Sequence, residues 1–244
     1  MITTEELVRD DANLLACSAV ITAIGPEGVQ LDRTVFYPQG GGQAGDAGVL
    51  RRADGAELPI VDTRKGAEAG QILHVPAADA ELAGLTGWAV GQAVTAQIDA
   101  ARRQAHRRFH TATHLLCALV PHPVDGCSIT AGYARLDFHM TEPLDKDMLT
   151  AGIARLVAEA HPVRQRWITE AELDANPGLV RSMSVQPPRG QGRVRLVEVA
   201  GVDLQPCGGT HVDNTADIGA VVVTKIEKKS AKTRRVVIGF ANQA

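Results

Sequence analysis

Aromatic side chains are scarce in this chain: two tryptophans, two tyrosines and four phenylalanines make 3% of 244 residues. So few rings argue against a base-stacking platform of the single-strand-binding type. Cysteine is sparse as well. Cys17, Cys117, Cys127 and Cys207 lack the spacing of a disulfide scaffold, so they read as reduced thiols in a cytoplasmic protein. No window approaches the roughly 20 apolar residues that span a bilayer. The acidic start MITTEELVRDD lacks the apolar stretch of a signal peptide. Bulk charge is also missing, since 25 Lys and Arg against 28 Asp and Glu leave a net −3. Contact with nucleic acid therefore falls to local basic patches. What is present is an ordinary apolar share of 45%, enough for one large domain or two small ones.

The first hundred residues read as strands and turns. AVITAIGPEGVQLDRTVFYP alternates around Gly25-Pro26 and Gly28 as a hairpin does, ELPIVDTRKGAEAGQILHV reads as a strand pair, and GWAVGQAVTAQID as a further strand. Short strands with glycine-rich turns indicate a small barrel or open sheet. Near residue 100 the period changes. Ala105, Phe109, Ala112, Leu116 and Leu119 recur every three or four residues, predicting a helix over Arg103 to Val120 that ends at Pro121 and Pro123. A second helix is predicted over Asp145 to His161, before Pro162, and Thr169 with Glu172 forms a capping box for a short third one. GRVRLVEV, GAVVVTKIE and RRVVIGF return to strand, and QPPRGQG is a loop. The expected class is α+β: a small β-barrel-like domain over 1–100, then an α+β domain over 101–244 with helices packed on a mainly antiparallel sheet.

Within the first helix, His110 and His114 stand four residues apart and so share a face, about 6 Å from each other. Such a pair can grip one metal ion from the same side. Taken alone it reads equally as two hydrogen-bonded histidines. His106 continues the stripe, but its neighbours Gln104, Arg107 and Arg108 predict that it faces solvent; Cys117, on the same stripe, reads as core filler. Far along the chain, Cys207 and His211 repeat the spacing, with Gly208 and Gly209 between them in a turn that brings backbone close to a ligand. Three imidazoles and one thiolate are a donor set that zinc takes tetrahedrally.

HTATHLL (110–116), then CGGTH (207–211), with FYPQGGGQAGDAG (36–48) before them and RLDF (135–138) between, stand in one order along nearly the whole chain. In these motifs the sequence resembles the editing domain of alanyl-tRNA synthetase. It is similar to the AlaX type of free-standing editing protein, in the medium-length form that keeps the glycine-rich segment. No stretch resembles the class II aminoacylation core. The resemblance implies an aminoacyl-tRNA hydrolase that deacylates alanine tRNA wrongly charged with serine, and with glycine, in trans. It implies one zinc ion per chain on His110, His114, Cys207 and His211. It also places Gly40, Gly41 and Gly42 beside the site, where they shape entry of the tRNA end.

The bond to be broken under that reading is an ester to the terminal ribose. Thr111, Thr113 and Thr210 are candidates to position water, although the plainer reading for at least two of them is a hydroxyl bonded to a nearby carbonyl. The N–H groups of Gly208 and Gly209 are candidates to stabilise an oxyanion. Selecting serine requires a buried partner for its hydroxyl. The family often has Gln or Thr before a Gly-Ser pair, whereas this chain has VDGCSI (124–129), leaving Asp125 and Ser128 as candidates. Two basic clusters suit the phosphates of an acceptor end: Arg102, Arg103, Arg107 and Arg108 at the start of the histidine helix, and Lys228, Lys229, Lys232, Arg234 and Arg235 near a C-terminal hairpin. The competing expectations are a zinc hydrolase of another small ester or amide, and a non-catalytic tRNA-binding module with structural zinc.

Overall fold

The computed structural model describes residues 3–77, 85–183 and 192–243. QPPRGQG lies outside them except for its last glycine. The chain divides into two compact units, Met1–Gly40 with Ala44–Arg103, and Gly41–Gln43 with Gln104–Ala244.

The strands of the first unit are β1 (Glu5–Glu6), β2 (Ala16–Gly25), β3 (Gly28–Leu31), β4 (Arg33–Thr34), β5 (Gly48–Arg51), β6 (Glu57–Lys65), β7 (Ile72–Pro76) and β8 (Ala93–Ile98). Six of them close a barrel in the order β2-β3-β7-β6-β5-β8. The expected hairpin is β2–β3, turning where Gly25 pairs Gly28, and the expected strand pair is β6–β7. Gly28 takes a φ of 139°, and a Cβ there would stand 2.5 Å from the carbonyl oxygen of His74. Inward positions such as Ile21, Leu31, Leu50, Leu58, Ile60 and Ala96 fill the barrel with Phe36 and Trp88. Closure removes the exposed edges that an open sheet would leave.

The chain continues with α1 (Ala100–Leu119), β9 (Val124–Ile129), β10 (Ala134–His139), α2 (Lys146–Ala158), β11 (Val163–Thr169), α3 (Glu170–Ala175), β12 (Arg193–Val199), β13 (Asp203–Pro206), β14 (Val221–Ser230) and β15 (Thr233–Phe240). In the second unit one antiparallel sheet runs β14-β15-β10-β9 and another runs β11-β12-β13. Phe109, Leu115 and Leu116 of α1 and Ile153 of α2 share a core with Leu136, Phe138, Val236 and Ile238 of the first of these sheets. Asp145 caps α2, its side chain accepting from the Met148 N–H. That helix stops earlier than its apolar period predicts, because Ala160 takes a left-handed φ of 55°. Both halves of the predicted Thr169–Glu172 capping box are formed. Among the described residues no helix is long and apolar enough to cross a membrane.

In the second unit three strands go beyond the periodicity, as β5 does in the first. β11 is exposed along most of its length, so it has no buried alternation to read. β9 carries Asp125-Gly126, a turn signal that cross-strand pairing and a bulge absorb. β13 has only four residues and ends on proline. His106, expected at the surface, is fully buried. Its polar neighbours mislead, because Arg107 is itself buried and Arg108 spends its Nε on the Ile218 carbonyl at 2.7 Å.

Candidate metal centre

Two segments converge in the second unit. α1 presents His110 and His114, and the turn after β13 presents Cys207 and His211. One donor atom from each of the four lies within 4.8 Å of the others. Cys207 Sγ stands 3.3 Å from His110 Nε2 and 3.2 Å from His211 Nε2.

The other nitrogen of each imidazole is committed to the protein. His110 Nδ1 donates to Gln43 Oε1 at 2.8 Å, and the same oxygen accepts the Thr210 N–H at 3.0 Å. His114 Nδ1 donates to Asp203 Oδ2 at 2.9 Å. His211 Nδ1 donates to Thr111 Oγ1 at 3.2 Å, because that hydroxyl gives its own proton to the Arg107 carbonyl. Each ring is thereby oriented with Nε2 toward the shared centre, as outer partners of metal-bound histidines do. The donor chemistry fits a borderline-soft divalent cation: three neutral imidazole nitrogens and one thiolate.

Electrostatics agree with that assignment at Cys207 and His211. Burial raises the Cys207 pKa, but the imidazoles of His110 and His211 outweigh it and hold the thiol well below its usual range. Burial and the neighbouring His110 push His211 well down, towards the neutral ligand form. Burial lowers His114, yet the hydrogen bonds to Asp203 and Cys207 dominate and bring it to about 9, so this ring holds a second proton at neutral pH that a bound cation would displace. Burial likewise raises Asp203, but its hydrogen bond from His114 keeps it a carboxylate.

Alternation on β13 explains the second ring of contacts. Asp203, Gln205 and Cys207 are two residues apart and so project to one face, toward α1. Gln205 Nε2 donates to Asp203 Oδ2 at 2.8 Å. Gly209 has to be glycine, since a Cβ there would sit 2.0 Å from His110 Cε1. Gln43, Asp203 and Gln205 are absent from the sequence-derived site. Asp203 and Gln205 precede Cys207 at alternate positions, a pattern that marks a strand face but not a histidine partner, and Gln43 stands inside the glycine-rich segment. Gly41 and Gly42 take φ of 60° and 86°, and Gly42 lies against Cys127. Gly40 belongs to the first unit and accepts the Tyr37 hydroxyl at 2.9 Å.

Several of the expected site residues make contacts of their own within the protein. Thr113 donates to the His110 carbonyl at 2.7 Å, Thr111 holds His211, and Thr210 Oγ1 accepts from Gln43 Nε2 at 3.0 Å, so all three hydroxyls are engaged in holding the centre together. The Gly209 N–H points at Cys207 Sγ, 3.5 Å away, rather than at an oxyanion position; Gly208 lies in the same turn. Asp125 is bonded to His139 and Thr233. Ser128 opposes Arg135, whereas Cys127 opposes Leu136 and packs, half-buried, against the core that Val124 and Ile129 enter. Burial, with Cys117 and Cys207 nearby, pushes the Cys127 thiol up to about 12. Cys117 is buried in the core.

The arginines at the start of α1 serve the protein itself. Arg103 is 1% exposed and bonds Asp46, at 3.0 Å through Nε, with the carbonyls of Ala12 and Val35. Arg102 donates to the Gly45 carbonyl. Arg107 Nε donates to the His211 carbonyl at 2.6 Å, bracing the ligand turn, and Arg108 lies over the Phe240 ring. Arg234 is buried against backbone carbonyls, and Arg235 pairs with Asp137. Adjacent positive charge at the start of α1 is met by internal acceptors. Lys228, Lys229 and Lys232 are exposed around the β14–β15 turn.

Comparison with known proteins bears on these motifs. The family model for the threonyl and alanyl tRNA synthetase second additional domain matches residues 194–237, which include Cys207 and His211. The model for class II (A) tRNA synthetases matches residues 9–102, a stretch in which no aminoacylation core was read and which holds the barrel. The chain is 32% identical to the alanyl-tRNA editing protein AlaX-M of Methanosarcina mazei, over 99% of this chain and 98% of that protein. It is 32% identical to AlaX-M of Saccharolobus solfataricus, over 96% and 97% respectively. The alanine–tRNA ligase of Halorubrum lacusprofundi is 32% identical over 99% of this chain, which spans 26% of that ligase. With shared sequence along almost the full length of both partners, the chain belongs to the AlaX-M family of alanyl-tRNA editing proteins.

Proposed function

We propose that this chain is the aminoacyl-tRNA hydrolase that frees alanine tRNA from wrongly attached serine, and from glycine, with one zinc ion held by His110, His114, Cys207 and His211. The observation that carries the reading is the convergence of four soft and borderline donors, each imidazole fixed through its far nitrogen, in a chain whose full-length relatives are editing proteins. Nε2-to-Sγ separations of 3.2–3.3 Å are close to the roughly 3.5 Å expected between ligands on bonds of about 2.0–2.3 Å at tetrahedral angles. When bound, zinc supplies Lewis-acid charge at the ester.

The chain's own residues do the rest. Gln43, Asp203 and Thr111 hold the three imidazoles in one tautomer, so that no ring has to reorganise when substrate arrives. Burial of the group excludes bulk water and strengthens every charge in it. The lysines around the β14–β15 turn supply sequence-independent affinity for phosphate.

The test is incubation with alanine tRNA charged in turn with serine, glycine and alanine, beside serine tRNA charged with serine. Release of serine and glycine from alanine tRNA, with the other two substrates left intact, is the expected result. Equal release of alanine, or no release from any substrate, contradicts the proposal.

A further inference from the structure

β11 is the exposed edge of the sheet that carries Cys207 toward α1. Trp167 on it opposes Arg195 of β12. Leu196 opposes Pro206, and the Cys207 N–H donates to the Arg195 carbonyl at 3.1 Å, so the register carries on to set Cys207 opposite Arg195. Directly opposed residues in antiparallel strands project to the same face. Trp167, Arg195 and Cys207 therefore form one row. Its outer members are two strand spacings apart, about 10 Å at roughly 4.8 Å per spacing.

The row is built, not merely aligned. Arg195 Nη1 donates to the carbonyls of Cys207 and Gly209 at 2.8 and 2.9 Å, and its Nε donates to Gln165 Oε1 at 3.1 Å. At its outer end Trp167 is 44% exposed, whereas Trp88 is 9% exposed in the barrel core. In a chain with two tryptophans, one indole is left in solvent on the face that leads to the metal ligands. The Arg193 guanidinium lies 4.4 Å from its ring centroid, fixing the indole and adding positive charge beside it.

We propose that Trp167, backed by Arg193, is the subsite for the base of the 3′-terminal nucleotide of the RNA substrate; this rests on the tRNA-ester reading above. An unpaired base at an RNA end is taken by stacking on an aromatic or guanidinium plane. The ribose of that nucleoside spans the interval between the stacked base and an ester held beside Cys207. Arg193 suits the adjacent phosphate. The scarcity of aromatic residues fits this economy, because a single base requires one ring and not a platform.

The test uses the intact chain and two RNA minihelices, one with a complete CCA end and one lacking the terminal adenosine. Tryptophan emission of the wild type falls with the complete RNA, stays level with the shortened one, and does not respond to either in Trp167→Phe. In deacylation, Trp167→Ala raises KM for seryl-tRNA(Ala) about ten- to hundredfold while metal content is unchanged, and Trp167→Phe restores most of the loss. Emission indifferent to the terminal adenosine, or a KM for Trp167→Ala within about twofold of wild type, overturns the subsite. Adenosine-dependent quenching in a protein that deacylates nothing would support the subsite while contradicting the hydrolase.

Discussion

Gln43 fastens three groups with one amide: the His110 ring, the Thr210 N–H and the Thr210 hydroxyl. Its side chain is completely buried, so a substitution has no water to fall back on. Gln43→Ala frees the His110 tautomer and is expected to weaken metal affinity about 10–100-fold without unfolding the chain, as outer partners of metal ligands generally do. A competition titration against a chelator, with circular dichroism as the control for folding, reads both parts. The four donors were legible because each pair is spaced for one helical turn or a tight turn, a pattern local enough to read. Gln43 and Asp203 were not, since they meet their histidines across 67 and 89 residues. A glutamine beside three glycines shows only the turn, and an aspartate in VDLQPC has no local partner to give it away.

At the scale of elements, the face of the β14-β15-β10-β9 sheet carries a knot of charge. Asp137 is reached by Arg135 at 3.0 Å, Lys229 at 2.9 Å and Arg235 at 2.7 Å. Burial raises its pKa, but the hydrogen bonds from Arg235 and Lys229 prevail and hold it at about 2 instead of 3.8. The folded carboxyl thus binds its proton less readily than the unfolded one. The stability it contributes is complete above about pH 4 and is lost as pH falls toward about 2. Asp137→Asn should lower the urea midpoint at neutral pH and flatten that acid limb. The barrel responds higher on the scale. Burial pushes His74 down to about 4 from 6.5, and it bonds Thr34 and the Val29 carbonyl as a neutral ring. Unfolding of the barrel, followed by Trp88 emission in a Trp167→Phe background, should become easier between about pH 6.5 and 4, and His74→Gln should remove that slope. Strong periods such as that of α1 were readable. β11 was not, because an exposed strand has no alternation, and His106 misled because charged neighbours do not reveal a side chain's own direction.

For the whole molecule, net charge −3 leaves RNA affinity to patches, and most arginines that read as phosphate contacts are consumed inside the protein. Lys228 and Lys232 remain at the surface, whereas Lys229 pairs with Asp137. Replacing Lys228 and Lys232 by alanine should reduce the slope of log affinity against log salt by about one per lysine contact, with zinc content unchanged. An unaltered slope would move the RNA contact elsewhere. The two units differ in how far sequence described them: the barrel's hairpins follow from alternation and turn glycines, while the second unit's assembly depends on pairings between distant segments.

The most direct test is the rate of seryl-tRNA(Ala) deacylation by metal-stripped protein as zinc is returned in known amounts. The account predicts that stripping abolishes the rate and that recovery is linear and complete at one zinc per chain. It also predicts that His110→Ala, though folded, gives no such recovery. A stripped protein that retains its full rate, or recovery in His110→Ala equal to wild type, would contradict it.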